Sequence, residues 1–425
     1  MLTAVVGINW GDEGKGRMVD LLSEQYDVIV RYQGGNNAGH TVINDRGTFV
    51  LNLLPSGILR ETTVNILGNG MAIDIEHLYE EITVLREKGV VVTPENLKIS
   101  DKAIISMPYH KLLDGLEEDR LGDAKFGSTR RGIAPVYADK YMKKAIRLED
   151  LFSDPEVLRP KLAALAAWKD LTIHKGYGAE KTDVDALCRW LVQYGEFVKP
   201  FVCDTTAYLS EAADKNKRIM FEAQLGALRD IDFGIYPYTS SSSTIAAYAP
   251  IGAGVPGRKI DRVIGITKAY SSCVGEGPFT CEMFGDECKQ LREAGGEYGA
   301  ATGRPRRVGG FDIPASRYGV KMQGADELVL TKLDILSYME KIPVCVAYDI
   351  DGEITEEFPT GGRLLRAKPI YNYLDGFRTD ISKCRKPEDL PPQAVKYIRY
   401  IEKAMVRPIK IVSVGPKRDD FITMA

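Results

Sequence analysis

Short apolar runs alternate with amphipathic segments along the whole chain. Residues 4–8, 28–32, 64–67, 219–222, 263–266, 328–330, 344–348 and 409–414 are strand-length runs rich in Val and Ile. Helical spacing of apolar positions covers 14–23, 75–88, 155–168, 184–194, 207–216 and 393–404. A near-continuous apolar strand is one buried on both faces, as in a parallel sheet covered by helices. The predicted fold is therefore α/β, with a large central, mostly parallel sheet flanked by helices. Asp351-Gly352, between the runs 344–350 and 353–358, predicts an antiparallel hairpin. Residues 148–216 are helix-rich and read as an inserted subdomain. No low-complexity tract divides the chain. One domain over 1–425 is the preferred organisation, and two separable domains the alternative.

Composition narrows the class. The 56 basic and 59 acidic residues leave a formal charge of -3, which gives no support to a nucleic-acid binder with a broad basic face. The seven cysteines show no C-x-x-C spacing and read as reduced thiols of a cytoplasmic protein. No apolar segment is long enough to span a bilayer, so no membrane partner is expected.

The first run leads into Trp10-Gly11-Asp12-Glu13-Gly14-Lys15-Gly16. A strand, a glycine-punctuated turn with one lysine and a helix make a phosphate site: backbone amides, the helix dipole and the Lys15 charge all favour an anion. It is P-loop-like without being a standard P-loop, because Gly16 stands where a magnesium-binding hydroxyl belongs. Asp12 is the carboxylate available to replace that hydroxyl or to move a proton. His40 lies among glycines and carboxamides in Gly34-Gly35-Asn36-Asn37-Ala38-Gly39-His40-Thr41, with no apolar periodicity around it. An imidazole there can donate to an oxygen gaining charge. Lys332 and Asp334 follow the run 328–330, a Lys-x-Asp that resembles the guanine-reading element of GTPases, in which the carboxylate accepts the paired donors of guanine that adenine lacks. Arg304, Arg306 and Arg307 crowd a glycine-bearing loop suited to a carboxylate.

These blocks resemble the adenylosuccinate synthetase family, in which GTP drives condensation of IMP with L-aspartate. The likeness runs from residue 4 to residue 418. It implies Asp12 as the base at purine N1, and His40 and Lys15 acting on the transferring phosphoryl group. The intermediate would be a 6-phosphoryl nucleotide. It implies Mg2+ held by Asp12 and the Gly39 carbonyl, and GTP contacts from Gly11, Glu13, Gly14, Lys15, Gly16, Gly39, His40, Thr41, Lys332, Asp334, Ser413 and Gly415. IMP would meet Asp12, Asn37, Thr129, Gln224, Leu225, Ser240 and Arg304. Aspartate would meet Thr302, Arg304 and Arg306. A homodimer is expected, with Lys143 crossing to the neighbouring subunit's IMP phosphate.

The chain departs from the family pattern at several places. Lys143 replaces an arginine, keeping the charge and losing the bidentate fork. Arg130 and Ala134 replace glycines, Ser240 replaces threonine, and Pro305 stands where arginine is usual. In Phe221-Glu222-Ala223-Gln224-Leu225-Gly226 the base-contacting glutamine of the family aligns with Leu225, one residue after Gln224. That shift motivates an alternative substrate, a guanine nucleotide such as dGMP. A guanine-nucleotide switch is a further alternative, which the arginine loop disfavours.

Overall fold

The computed structural model describes residues 1–44, 46–299 and 303–424. The chain opens with β1 (Leu2–Gly7), α1 (Lys15–Leu22), β2 (Val28–Arg31), the hairpin β3 (His40–Asn44) and β4 (Gly47–Leu51), and β5 (Val64–Leu67). Among the described residues ten strands form one sheet. From one edge they run Phe421–Thr423, Ile409–Ser413, Glu327–Thr331, Arg262–Lys268, β1, Ile219–Glu222, β2, β5, Leu97–Ser100 and Val202–Cys203. All neighbours are parallel except Phe421–Thr423, which runs antiparallel to Ile409–Ser413.

Period-two alternation splits β1 between two cores. Ala4 and Val6 join the core that includes Leu330 and Phe311, whereas Val5 packs with Met18 and Val19 of α1. Burying Met18 and Val19 contributes about 1.5–3 kcal/mol each before chain entropy is counted. The helix Ile313–Gln323 lies tight against the end of β1: a Cβ on Gly319 would fall 1.9 Å from the Ile8 carbonyl.

A second core joins β3, β4, α2 (Ile75–Glu87), α3 (Pro108–Leu121), α5 (Pro155–Ile173) and α6 (Val184–Val198). Between α3 and α5 lies α4 (Ile133–Met142). The helical pattern expected within 148–216 is present as α5, α6 and Thr205–Asp214. The hairpin at Asp351-Gly352 forms, with φ of 56° and 91°, the two positive values a type I′ turn requires. No helix among the described residues is long and apolar enough to cross a membrane. The parallel strands share a direction, so their carboxyl ends deliver Asn9–Lys15, Gln33–His40, Ala223–Gly226, Ala269–Tyr270, Lys332–Asp334 and Val414–Gly415 to one edge of the sheet. Open α/β sheets bind their ligands there.

Candidate active site

Glu13 organises the phosphate turn. Its Oε1 accepts the amides of Asn9 (3.0 Å) and Gly11 (2.8 Å), and its Oε2 pairs with Lys15 Nζ at 2.6 Å, both side chains being buried. Thr331 Oγ1 donates to the Glu13 carbonyl at 2.7 Å, tying the turn to a neighbouring strand. Glu13, expected as a GTP contact, here binds the loop's own atoms. Asp12 takes φ +60°, a left-handed conformation that aspartate tolerates better than most residues, and its side chain stays one-third exposed. Gly16 opens a close approach: a Cβ there would lie 2.4 Å from His40 Cβ. His40 thus sits directly on the first turn of α1.

His40 Nδ1 is 2.6 Å from Glu222 Oε1. Glu222, the last residue of its strand, also accepts Ser56 Oγ and Ser56 N, each at 2.8 Å. Burial lowers His40 below the ordinary imidazole range, and the Glu222 carboxylate offsets only part of that. Burial would raise Glu222, but the bond from His40 and the charge of buried Arg31 hold it below the usual carboxylate value. The pair is a neutral imidazole donating Nδ1–H to a carboxylate. Arg31 is fixed by the carbonyls of Asn52 (3.2 Å) and Leu54 (3.3 Å). The amides of Asn52, Leu53 and Leu54 are gathered by buried Glu81, which desolvation pushes up to about 7.

The arginine loop meets the phosphate turn at Asp12, whose Oδ2 lies 3.2 Å from Arg306 Nε. This is charge attraction without hydrogen-bond geometry, because that buried Nε–H has no partner. Arg306 Nη1 donates to Glu297 Oε2 at 2.7 Å. Arg304 is exposed, and Thr302 lies outside the described residues. Arg307 pairs with Glu282 (2.5 Å) and so belongs to the scaffold. Lys332 reaches Glu297 (2.8 Å) and the Gly295 carbonyl (2.7 Å). Asp334, raised by burial, is half-buried near Arg17. Arg17 donates to Ser413 Oγ (2.8 Å) and to the Gly415 carbonyl, linking α1 to the second expected guanosine segment.

The expected monophosphate residues are spread over several loops. Asn37 Oδ1 accepts the Gly35 amide at 3.2 Å, and Gly39 beside it is half-buried. Thr41 and Thr129 are exposed. The loop that carries Thr129 is held by α3, where Asp114 accepts Ser128 Oγ (2.6 Å) and the Gly132 amide (2.8 Å). Arg130 is turned outward onto Asp119. Ser240 Oγ lies 3.4 Å from Ser242 Oγ, whose own hydroxyl donates to Gln33, and the Ser240 amide donates to the Arg229 carbonyl at 2.9 Å. Lys143 is exposed at the carboxyl end of α4, beside exposed Tyr141 and Met142. The structure separates Gln224 from Leu225. Gln224 is fully buried beneath Gly34-Gly35, its Nε2 donating to the Gly35 carbonyl (2.8 Å) and its Oε1 unpartnered. Leu225 takes φ +57° and lies against Gly11.

Glu222, Glu297, Lys268, Arg31 and Arg17 were not singled out from sequence as site residues. Three of them leave a visible trace: Arg31, Glu222 and Lys268 each put a charge at the carboxyl end of an apolar strand.

The family model described as adenylosuccinate synthetase matches residues 4–422. The chain is 45% identical over 419 residues to the adenylosuccinate synthetase of Nostoc punctiforme, covering 98% of this chain and 93% of that one. It is 44% identical over 422 residues to that of Thermobifida fusca, covering 99% and 98%. The fully ligated adenylosuccinate synthetase of Plasmodium falciparum superposes with a TM-score of 0.92 at 34% identity, covering 100% and 99%. A cyanophage S-2L succinoaminodeoxyadenylate synthetase bound to dGMP and dATP superposes with a TM-score of 0.59 at 20% identity over 99% and 95%, a likeness of fold alone. With its phosphate turn, imidazole–carboxylate pair and arginine loop gathered at one sheet edge, the chain belongs to the adenylosuccinate synthetase family.

Proposed function

We propose that these residues carry the family's reaction, the GTP-dependent joining of IMP and L-aspartate to give adenylosuccinate. The observation that carries this reading is the approach of Arg306 to Asp12 at 3.2 Å. It sets a carboxylate-binding cation against the proton-transfer group of a nucleotide phosphate loop. A GTP switch or a simple kinase has no use for that junction.

Asp12 takes the proton from purine N1, so that O6 becomes nucleophilic toward the γ-phosphate. Lys15, released from Glu13, and the loop amides spread the charge on the transferring group. His40 takes up a proton as the phosphates arrive, because their charge reverses the effect of burial. With Nδ1–H on Glu222, it is then Nε2–H that donates to the phosphoryl oxygen. Arg304, Arg306 and Thr302 hold the aspartate, whose amine displaces the 6-phosphate. Lys332, Asp334, Ser413 and Gly415 read guanosine. Asn37, Thr129 and Ser240 hold the monophosphate, and Lys143 reaches it from a second subunit. The exposed apolar pair Tyr141 and Met142 supports such a dimer. The unpaired cysteines suit a cytoplasmic setting.

Mg2+ fits this donor set. Asp12 offers a partly exposed carboxylate oxygen and Gly39 a carbonyl, with the remaining positions left to phosphate and water, as that ion prefers. It would neutralise charge between the phosphates. The guanine-nucleotide alternative is disfavoured, since relatives near 45% identical span the chain and the dGMP-binding neighbour shares 20%.

The test is GTP turnover with IMP and aspartate present or omitted singly, in wild type and Asp12→Asn. Turnover is expected only with both, and falls about 10²–10⁴-fold in the variant, the range a positioned base supplies. Ordinary turnover by Asp12→Asn, or a preference for dGMP over IMP, overturns the assignment.

A further inference from the structure

Glu297 is fully buried where the helix Gly285–Gly295 gives way to the arginine loop. Its two oxygens serve different elements. Oε1 accepts Lys332 Nζ at 2.8 Å, Lys268 Nζ at 2.8 Å and the Tyr270 hydroxyl. Oε2 accepts Arg306 Nη1 at 2.7 Å and Lys268 at 3.0 Å. The backbone repeats the link, since the Arg306 amide donates to the Glu297 carbonyl at 2.9 Å and Lys332 also reaches the Gly295 carbonyl. Burial alone would raise Glu297; the surrounding cations hold it well below the ordinary carboxylate value, so it is ionised. Lys268, Lys332 and Arg306 converge on Glu297, with Asp12 beside Arg306 and Asp334 near Lys332. The unpartnered Nε–H of Arg306 lies on the Asp12 side of the cluster. A buried donor left without an acceptor favours a further anion beside Arg306.

We propose that Glu297 is a positioning residue that sets the guanine-reading Lys332 and the aspartate-binding Arg306 relative to each other, so that affinity for aspartate depends on the state of the guanine site. The inference rests on the roles proposed above for Lys332 and Arg306. Its physical basis is competition for one carboxylate. With Lys332 in place, Oε1 is shared and Arg306 is held by Oε2 with its Nε toward Asp12. Without Lys332, Oε1 keeps only Lys268 and the Tyr270 hydroxyl, and the loss of one neighbouring positive charge strengthens the pull of Glu297 on Arg306, drawing it inward and away from the substrate side. By linkage the effect is reciprocal between the two ligands.

Steady-state KM values for aspartate, GTP and IMP in wild type, Lys332→Met, Glu297→Gln, the double variant and Arg306→Leu test this. Lys332→Met should raise KM for GTP and also raise KM for aspartate about tenfold, equivalent to about 1.4 kcal/mol, with KM for IMP within about twofold. In the Glu297→Gln background, Lys332→Met should leave KM for aspartate unchanged, because the carrier of the effect is gone. An unchanged KM for aspartate in Lys332→Met overturns the proposal, and so does an effect that persists undiminished in the double variant. If Glu297→Gln does not fold, Lys332→Met decides alone, since Lys332 is 31% exposed and no core depends on it. Arg306→Leu separates the two levels. If it leaves KM for aspartate unchanged, the reading of the site is wrong; if it raises that KM while Lys332→Met does not, only the linkage fails.

Discussion

Replacing Glu222 by Gln removes one charge and almost no volume. The carboxylate now accepts from His40 Nδ1 (2.6 Å), Ser56 Oγ (2.8 Å) and Ser56 N (2.8 Å). The amide can keep its oxygen on Ser56 N, and its NH2 group then faces His40. The ring must switch tautomer so that Nδ1 accepts, and it loses the counter-charge that would stabilise an imidazolium. In the other orientation the NH2 opposes the Ser56 amide and leaves two buried donors without acceptors. Both outcomes deny the phosphoryl oxygen a charged Nε2–H donor. A positioned proton donor contributes about 10²–10⁴-fold, or about 2.7–5.4 kcal/mol of barrier, and kcat should fall within that range. KM for IMP and aspartate should stay within about threefold, since Glu222 touches neither in this mechanism. Stability should fall by about 1.5–3 kcal/mol, the value of a buried hydrogen bond to a charged group, with Arg31 losing its neighbouring carboxylate. The assay is the ultraviolet change as the 6-oxopurine becomes a 6-amino-substituted purine, with urea unfolding in parallel. A variant within about threefold of wild-type kcat would refute the argument that Glu222 sustains the His40 proton.

Gly16→Ala should cost both activity and stability: its methyl meets His40 Cβ, so kcat is expected to drop at least about tenfold and the urea midpoint to fall by the equivalent of about 1–3 kcal/mol; equal kcat would contradict the close approach. Asp334→Asn should lower kcat/KM for GTP about 10²-fold and erode the preference over ITP, because the guanine donors lose a charged acceptor; an unchanged GTP to ITP ratio would remove Asp334 from the guanine site. For Glu81 the folded value, about 7, lies above that of an unfolded glutamate, so its contribution is complete at low pH and lost as pH rises toward and through 7. His40 and His110 act oppositely: burial lowers both, so their contribution is complete above about pH 6.5 and lost as pH falls below it. Glu81→Gln should therefore gain stability relative to wild type between pH 5 and pH 8, as read from urea midpoints, and parallel curves would exclude the ionisation of Glu81.

The sheet was legible because its central strands are uninterrupted apolar runs. Residues 64–67 and 219–222 coincide with observed strands, and the Asp351-Gly352 turn forms where the dipeptide places it. The helices Pro108–Leu121 and Gly285–Gly295 were not legible. Gly285–Gly295 buries only Cys288 and Leu291 among its described side chains, and α3 uses Asp114 and Glu118 as loop anchors instead of presenting an apolar stripe. Their helicity comes from what they pack on, so local periodicity carries little of it. The phosphate turn and the Lys332 and Asp334 pair were visible because each is contiguous. How Gln224 and Leu225 divide their roles was not, since a left-handed φ at a leucine has no sequence marker.

The residues that sequence reading passed over follow a physical rule of their own. Arg31, Glu222 and Lys268 end the runs Val-Ile-Val-Arg, Ile-Met-Phe-Glu and Val-Ile-Gly-Ile-Thr-Lys. A buried charge is costly unless it is paired, so a charge that closes a two-face-buried strand implies partners beyond the strand. Each of these charges has them: carbonyls of 52 and 54 for Arg31, His40 and Ser56 for Glu222, Glu297 and Ser272 for Lys268. Because parallel strands end on the same edge, such charges converge where ligands bind. Asp12 is the partly exposed part of the site and His40 lies buried behind it; in the mechanism proposed here Glu222 and Arg31 set the protonation of His40, and Lys268 acts through Glu297 on the direction of Arg306. Turnover should therefore respond to Glu222, and affinity for aspartate to Glu297, although neither touches a substrate in the proposed mechanism.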